Sequence, residues 1–494
     1  MSAASAQTPS PSTKTGLARF ANPWTALVGG CLAVAALSLL YPTTPTYDPW
    51  AWIIWGREIV NFDLTTTTGP SWKPLPAIFT TLFAPFGSAA PDLWVMIARA
   101  GGLLALAGGF RVTTRLVEIV TESRMSRWSP PAVFAGVCAI AAMLLQSEFA
   151  KATMLGNSEG LLVASVLFAF DRALDADRRS ALLLAAVAGL LRPEIWPFLG
   201  LYGLYLLWRH RELWPWVIGV GVAVPLLWLV PEYIGSGNFF RAADRAQDLK
   251  YLPWSPALAP DPTGRILDMT ELMLPADVWR LAVVGALFSL WALFRRNFAP
   301  ALFCLMPVAW VAIVARMTES GYAGNPRYLL LGTSLFCVVA AAGLGSLLAY
   351  AWLLGAKVDA RLGPVTFVAL VLAGAAYSST AGDLDGRVER WAGLDGYLRD
   401  ESNHRTALPK AIGLAGGRER VLACGEITTN NFQVPMLAWY LDVHVNRVGL
   451  DPIGPGTTFQ TRTNPDSKLD PPTGPPGATV VGTEPPWIVL RKCR

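Results

Sequence analysis

Residues 213–231 read LWPWVIGVGVAVPLLWLVP, nineteen positions without a charged side chain, bracketed by Arg211 and Glu212 before and Glu232 after. A helix of about 20 apolar residues crosses the roughly 30 Å hydrocarbon core of a bilayer. It satisfies its own backbone hydrogen bonds, which lipid cannot do. Working outward, the same character recurs at 24–41, 92–110, 131–147, 158–174, 180–194, 196–208, 278–294, 298–315, 327–350 and 363–380. The pattern predicts an all-α polytopic membrane protein of about eleven transmembrane helices. Composition agrees: hydrophobic residues make up 53% of the 494 positions and charged residues only 15%, against about 25% charged in soluble chains. Twenty tryptophans suit anchoring at the membrane–water interface. The net charge of +5 is spread among loops, not clustered, which argues against a nucleic-acid partner.

Short-loop Lys and Arg residues orient the spans. With the N-terminus cytoplasmic, the inside loops hold Arg111, Arg115, Arg124 and Arg127, then Arg172, Arg178 and Arg179, then Arg209 and Arg211. The last two inside loops hold Arg295 and Arg296, then Lys357 and Arg361. Every short inside loop is basic, and one missed span would invert the pattern downstream.

Three regions follow. Residues 1–22 form a polar, Ser-, Thr- and Pro-rich tail, expected to be cytoplasmic and disordered. No convincing cleavage site follows it, so the first span is read as retained. Residues 23–380 form the transmembrane domain, with a long external loop at 42–91. In that loop, 50–60 reads as a helix lying in the interface, and 75–86 as a short re-entrant or interfacial helix. A second long external loop covers 232–277, and 316–326 is a short one. Residues 381–494 are polar, broken by Pro and Gly, with a low-complexity run at 463–484. An odd number of spans places this region outside, as a small α/β or β-containing domain; RVLAC, TVVG and WIVLRK are its β-prone pieces. Cys424 and Cys493 are the only cysteines beyond the apolar spans. In an oxidising compartment they would form a disulfide; the alternative is two free thiols.

The chemistry concentrates in the first external loop, YDPWAWIIWGREIVNFDLTTTTGPSWKPLPAIF at 47–79. Asp48 lies just beyond the first span, and Lys73 sits in a WKPLP turn before the next apolar stretch. A carboxylate can take a proton from an attacking hydroxyl, and an ammonium offers a point charge to phosphate oxygens. Such a pair at a membrane surface suits a lipid-borne phosphate substrate. The competing role for Asp48 is a helix start, since Asp followed by Pro is a common N-terminal signal.

These residues carry a resemblance. Asp48 near the start of the loop, Gly56-Arg57-Glu58, Gly69 through Trp72-Lys73-Pro74-Leu75, and the later NPRYLLLG at 325–332 are together similar to the GT-C class of membrane glycosyltransferases. The likeness is to the branch using polyprenyl-phosphate sugars, of protein mannosyltransferase and aminoarabinose transferase type, and its span pattern covers roughly residues 20–380. The resemblance implies inverting sugar transfer to a cell-envelope glycan, lipid or protein acceptor on the outer face of the cytoplasmic membrane. It implies Asp48 as general base and Lys73 on the departing phosphate. It departs from the family where Pro49 follows Asp48, since many members carry two adjacent acids there. No cofactor is implied, and a divalent cation is left open.

Further candidates have two roles each. Arg327 and Tyr328 open a span at the outer face, where a guanidinium suits phosphate; interfacial anchoring is the other role. Arg192 and Glu194 flank Pro193 in an apolar stretch, where charges mark function unless they pair with each other. Glu159 in LGNSEGLL is a second acid or a neighbour of a helix cap. Arg241 and Arg245, with Lys250, face an anionic donor or form a solvated loop. With three histidines in the chain, no His or Cys cluster has metal-ligand spacing, and no glycine pattern for nucleotide phosphates precedes a helix. The donor is therefore expected to be lipid-linked. The rival functions are a transporter or flippase for a lipid-linked or polar solute, and a non-catalytic envelope assembly protein.

Overall fold

The computed structural model describes residues 22–250, 252–381, 384–461 and 474–493; the expected tail at 1–21 and residues 463–473 of the low-complexity run lie outside them. α1 (Pro23–Ser38) is capped by Asn22, whose side chain accepts the Trp24 N–H at 3.1 Å. α2 (Tyr47–Val60) and α3 (Pro74–Phe83) follow, and a kink at Gly87 leads into α4 (Ala90–Val120). α5 (Pro130–Leu144) and α6 (Ser147–Met154) are bent by 73° at their junction. α7 (Glu159–Leu174), α8 (Arg178–Gly189), α9 (Trp196–Arg209) and α10 (Trp214–Ser236) continue the bundle. α11 (Arg241–Gln247) and α12 (Pro262–Met273) give structure to what the sequence reads as one long loop. α13 (Ala276–Phe294), α14 (Ala299–Glu319), α15 (Leu330–Val358) and α16 (Leu362–Ala381) complete it.

Each expected span coincides with one of these helices. Among the described residues, six segments are long and apolar enough to cross a membrane alone: Pro74–Val120, Arg211–Ser236, Ala276–Phe294, Ala299–Glu319, Pro326–Val358 and Leu362–Ser379. The bent pair α5–α6 makes a seventh if taken as one span. α1, α7, α8 and α9, with 16, 16, 12 and 14 residues, fall short of the roughly 20 that a full crossing needs.

Burial sorts the helices into layers. The most apolar window of Pro326–Val358 is 61% buried, whereas that of Leu362–Ser379 is only 6% buried. α15 is thus the centre of the bundle, and α16 presents an apolar surface that water would not tolerate and lipid does. The protein is an integral membrane protein. Close approach depends on small residues, as membrane helix packing does. A Cβ on Gly343 would lie 2.5 Å from the backbone nitrogen of Gly285, and one on Gly109 would lie 2.9 Å from Met143 Sδ.

Beyond the last span the polar region is more regular than its Pro and Gly content suggests. α17 (Leu384–Leu414) runs for 31 residues, then α18 (Gly417–Cys424). RVLAC lies in α18 and is not a strand. β1 (Glu426–Thr429), α19 (Val434–Tyr440), β2 (Val448–Gly449), β3 (Gly456–Gln460), β4 (Thr479–Glu484) and β5 (Trp487–Lys492) build a sheet of order β2-β1-β3-β5-β4. β2, β1 and β3 are parallel, and β3, β5 and β4 antiparallel. Cys424 and Cys493 are joined by a disulfide with Cα atoms 4.6 Å apart, tying α18 to the end of β5.

The sheet domain sits on α2. Trp50 packs against Trp439 and Tyr440 of α19, with ring centroids 6.3 and 6.1 Å apart. Trp50, Trp52 and Trp55 are all buried. The expectation of an interfacial helix at 50–60 is therefore corrected: α2 is wedged between the sheet domain and α3, and its tryptophans are interior packing. Gly56 allows this, since a Cβ there would meet the backbone of Thr80 on α3 at 2.4 Å.

Candidate active site

Within residues 42–91, Thr46 and Leu75 are held by backbone hydrogen bonds to distant elements. The Thr46 N–H donates to the Leu155 carbonyl at 3.0 Å, fixing the start of α2 to the α6–α7 link. The Leu75 N–H donates to the Leu190 carbonyl at 3.3 Å, fixing the start of α3 to the end of α8. Between these anchors the turn at Gly69, with φ +89, reverses the chain. Arg241 donates to the carbonyls of Pro70 (2.7 Å) and Gly69 (3.1 Å), and Arg245 Nε to that of Gly69 (3.0 Å). Arg241 also lies 3.6 Å from the buried Glu232. Both arginines are thus spent on the loop that carries Lys73.

Asp48 and Lys73 are each 7% exposed and converge on the α6–α7 link. Asp48 stands in the first turn of α2, where an acid is favoured by the helix dipole, but Thr46 holds the N-cap position. The carboxylate goes elsewhere: Asp48 Oδ2 accepts from Arg327 Nη2 at 2.6 Å. Arg327 lies in the 3-10 turn Pro326–Leu329, started by Asn325, whose side chain accepts the Arg327 N–H. Its Nη1 donates to Asn157 Oδ1 at 3.1 Å. Lys73 Nζ donates to Ser158 Oγ at 3.1 Å, lies 4.0 Å from Glu159 Oε1 and stands 5.0 Å above the Trp52 ring.

Glu159 joins the two halves. Its Oε1 also accepts from Arg192 Nη2 at 2.8 Å. Arg192 lies 3.5 Å from Glu194 and 4.2 Å over the Tyr328 ring. Arg192 and Glu194 therefore do pair, but Glu159 is the shorter contact. Three carboxylates and three cations, drawn from four separate chain segments, share one largely buried cluster. Asn157 and Ser158 were not singled out by sequence reasoning, although they lie in the same LGNSEG stretch as Glu159.

Burial, with Arg192 and Arg327 nearby, pushes the Lys73 ammonium down to about 8, while Glu159 and Asp48 oppose the shift. Several polar atoms remain buried without a hydrogen-bond partner: Glu159 Oε2, Glu194 Oε2 and Arg327 Nε. Orphaned polar atoms are costly in a low-dielectric interior. Three such atoms beside a shifted lysine make this cluster the candidate site. Among the described residues no group of three or more His, Cys, Asp or Glu side chains could hold a metal ion.

A second polar contact joins the site's helix to the sheet domain. His444 Nδ1 and Glu58 Oε1 are 2.7 Å apart, and His444 Nε2 is 3.2 Å from Asp63. Arg57 pairs with Asp442 at 2.6 Å and donates to the Val443 carbonyl at 2.9 Å. Phe432, just after β1, packs edge-on to Tyr47 with centroids 6.5 Å apart, one residue from Asp48. Sequence reasoning missed this interface. The available signal was Arg57 and Glu58 in a helix that from Pro49 onward is otherwise uncharged and rich in tryptophan and isoleucine, since charges inside such a helix need partners.

No family model and no curated protein sequence matches the chain. Among solved structures it is similar to the crystal structure of ArnT from Cupriavidus metallidurans bound to undecaprenyl phosphate, with 15% identity, a TM-score of 0.48, and coverage of 95% of this chain and 98% of that one. It is also similar to the crystal structure of the same ArnT in the apo state, with 15% identity, a TM-score of 0.49, and coverage of 94% and 97%.

Proposed function

We propose that this chain is an inverting membrane glycosyltransferase, moving a sugar from a polyprenyl-phosphate donor to a cell-envelope acceptor on the outer face of the cytoplasmic membrane. In this reading the N-terminus is inside and the domain at 381–494 outside. The observation that carries it is the meeting of Asp48 and Lys73, 25 residues apart on one loop, in a single buried cluster with Arg327, Glu159 and Arg192.

Lys73, Arg327 and Arg192 offer positive charge for a phosphate, with Arg327 able to present a planar fork. The donor phosphate competes with Asp48 for Arg327 and leaves the carboxylate available as a base. The acceptor oxygen then attacks the anomeric carbon from the face opposite the phosphate. The new C–O bond forms as the bond from that carbon to the phosphate oxygen breaks. The electron pair leaves with the phosphate, and the acceptor's proton passes to Asp48. A positioned base contributes about 10²–10⁴-fold, and cations facing the departing phosphate add a term of similar or larger size.

The test is release of polyprenyl phosphate by the purified protein from a panel of polyprenyl-phosphate hexoses and pentoses, with a cell-envelope glycan extract supplied as acceptor. Asp48→Asn, which keeps the shape of the side chain, is expected to abolish release while the protein stays folded by circular dichroism. Turnover by the Asn variant at the parent rate would overturn the assignment of the base.

A further inference from the structure

A cavity of about 390 Å³ lies between α1, α4, the bend from α5 to α6, and α17. None of its lining residues belongs to the Asp48 cluster. α1 and α4 run antiparallel: Trp24 meets Arg111 at one end of the pair, and Ser38 accepts from Arg99 at the other. Along α4 the wall extends from Arg99 to Leu106, seven residues or about 10 Å of helix. Val34 and Ser38 of α1 stand opposite. The space therefore runs along the helices, not across them.

Its two ends differ. Toward Val34 and Leu106 the walls are apolar, whereas beyond Arg99 the Tyr41 hydroxyl meets Asp395 of α17, which is paired with Arg399. Arg99 is buried, and its donors are spent: they reach the carbonyls of Ser38 (2.7 Å) and Met154 (3.1 Å) and the hydroxyls of Ser38 and Thr43. Those carbonyls end α1 and α6, so the guanidinium offsets the negative ends of two helix dipoles. One wall comes from beyond the last span. α17 presents Trp391, Leu394 and Leu398 at helical spacing, and Trp391 Nε1 donates to the Leu144 carbonyl at 2.7 Å, beside the 73° bend. Leu394 and Leu398 are buried.

The walls and their surroundings decide what fills this space. Water needs polar partners, which an apolar cavity does not supply. An empty void would leave its lining without dispersion contacts. α1 is apolar and exposes Val34 and Leu37, so in a membrane the neighbouring material is hydrocarbon. The volume is within the range of about 300–1,000 Å³ usual for ligand pockets.

We infer that the cavity is a binding site for the acyl chain of a glycerophospholipid, which enters from the surrounding bilayer and leaves its head group at the Tyr41–Asp395 end. The chain of a polyprenyl-phosphate donor is a poorer match, because Lys73, Arg192 and Arg327, the cations suited to its phosphate, line none of this cavity. With the Arg99 donors used and Arg399 paired to Asp395, affinity follows the chain and not the charge of the head group. Neither the site nor its test depends on sugar transfer at Asp48.

The test is native mass spectrometry of the full chain, delipidated in detergent and titrated with phosphatidylglycerol and phosphatidylethanolamine, each carrying hexadecanoyl or octanoyl chains. The expected result is retention of a hexadecanoyl lipid with either head group, and binding at least tenfold weaker for the octanoyl forms. Leu103→Trp fills the cavity and is expected to abolish retention, whereas Leu201→Trp, the same change on an exposed face of α9, leaves it intact. Thermal unfolding controls for folding, and Leu106→Phe is the smaller filling change if Leu103→Trp is unstable. Without any variant, a phospholipid with a diazirine on its acyl chain is expected to label α17 at Leu394 and Leu398, which bulk lipid does not reach. Failure to retain phospholipid, equal loss in Leu201→Trp, indifference to chain length, a tenfold preference for one head group, or no label on α17 would each overturn the site. Displacement by equimolar polyprenyl phosphate would assign the cavity to the donor's chain and overturn it as well.

Discussion

Arg327 and Asp48 are 279 positions apart in the chain, yet Nη2 of one lies 2.6 Å from Oδ2 of the other. The pair closes the cluster between the start of α2 and the turn that opens α15. It also holds the proposed base in a charge-paired state, so the arginine has two partners to choose between once a phosphate arrives.

Replacing Arg327 is therefore expected to harm both binding and chemistry. Arg327→Gln should lower kcat/KM for a polyprenyl-phosphate sugar by about 10²-fold or more, the size seen when one electrostatic donor is lost. Arg327→Lys should not restore it, because one ammonium cannot reach Asp48 and Asn157 with a planar fork. Steady-state kinetics on both variants, with thermal unfolding as a folding control, reads this out.

Lys73 should impose an upper pH limit on donor binding. Its ammonium titrates near 8, well below the ordinary lysine value, so the charge is present below that pH and lost as pH rises through it. Donor KM should be flat up to about pH 8 and then rise roughly tenfold per unit. Lys73→Arg stays charged throughout and should abolish the rise, even if affinity is lower overall. A KM–pH profile that bends at the same place in both proteins would assign the limit to another group.

The His444–Glu58 contact should hold the sheet domain on α2. His444→Ala leaves the buried Glu58 with the Thr65 N–H but without its imidazole, a loss of about 1–3 kcal/mol. Adding Glu58→Gln should recover part of it, since the uncompensated charge is then gone. Thermal midpoints of the two single variants and the double variant form the cycle. Hydrogen exchange over residues 434–449 should rise in His444→Ala.

The disulfide encloses 69 residues of sequence separation, for which loop entropy gives about 4 kcal/mol of stabilisation. Reduction, or Cys493→Ser, should lower the midpoint of the sheet domain and leave the helical signal of the membrane bundle nearly unchanged. Equal loss in both regions would mean that the domains unfold as one unit.

Much of the fold was legible because its signal is local. A run such as 213–231 states its own destination, since hydrocarbon selects for apolar side chains at every position of a helix. Helix ends were less legible: α4 continues to Val120 and α15 to Val358, because the arginines and lysines near these ends extend a helix as readily as they end it. α2 was misplaced for a related reason. Tryptophan, isoleucine and valine look alike whether lipid or protein covers them, and only the presence of α19 decides which. RVLAC shows the same limit at short range, where β-branched and apolar residues in five positions do not separate helix from strand.

For the site, the residue types were readable and the partnerships were not. Asp48, Lys73, Arg192 and Arg327 stood out because a charge near hydrocarbon is costly and needs a reason to stay. That Arg241 and Arg245 would be used up on two backbone carbonyls, while Asn157 and Ser158 completed the cluster, followed from no periodicity or motif. The amino-acid order alone determined that this chain enters a membrane, because transfer free energy accumulates residue by residue along a helix. Which carboxylate meets which cation was decided only by the packed helices. Ion pairing depends on distances of a few ångströms between segments hundreds of residues apart, and one-dimensional spacing carries no record of them.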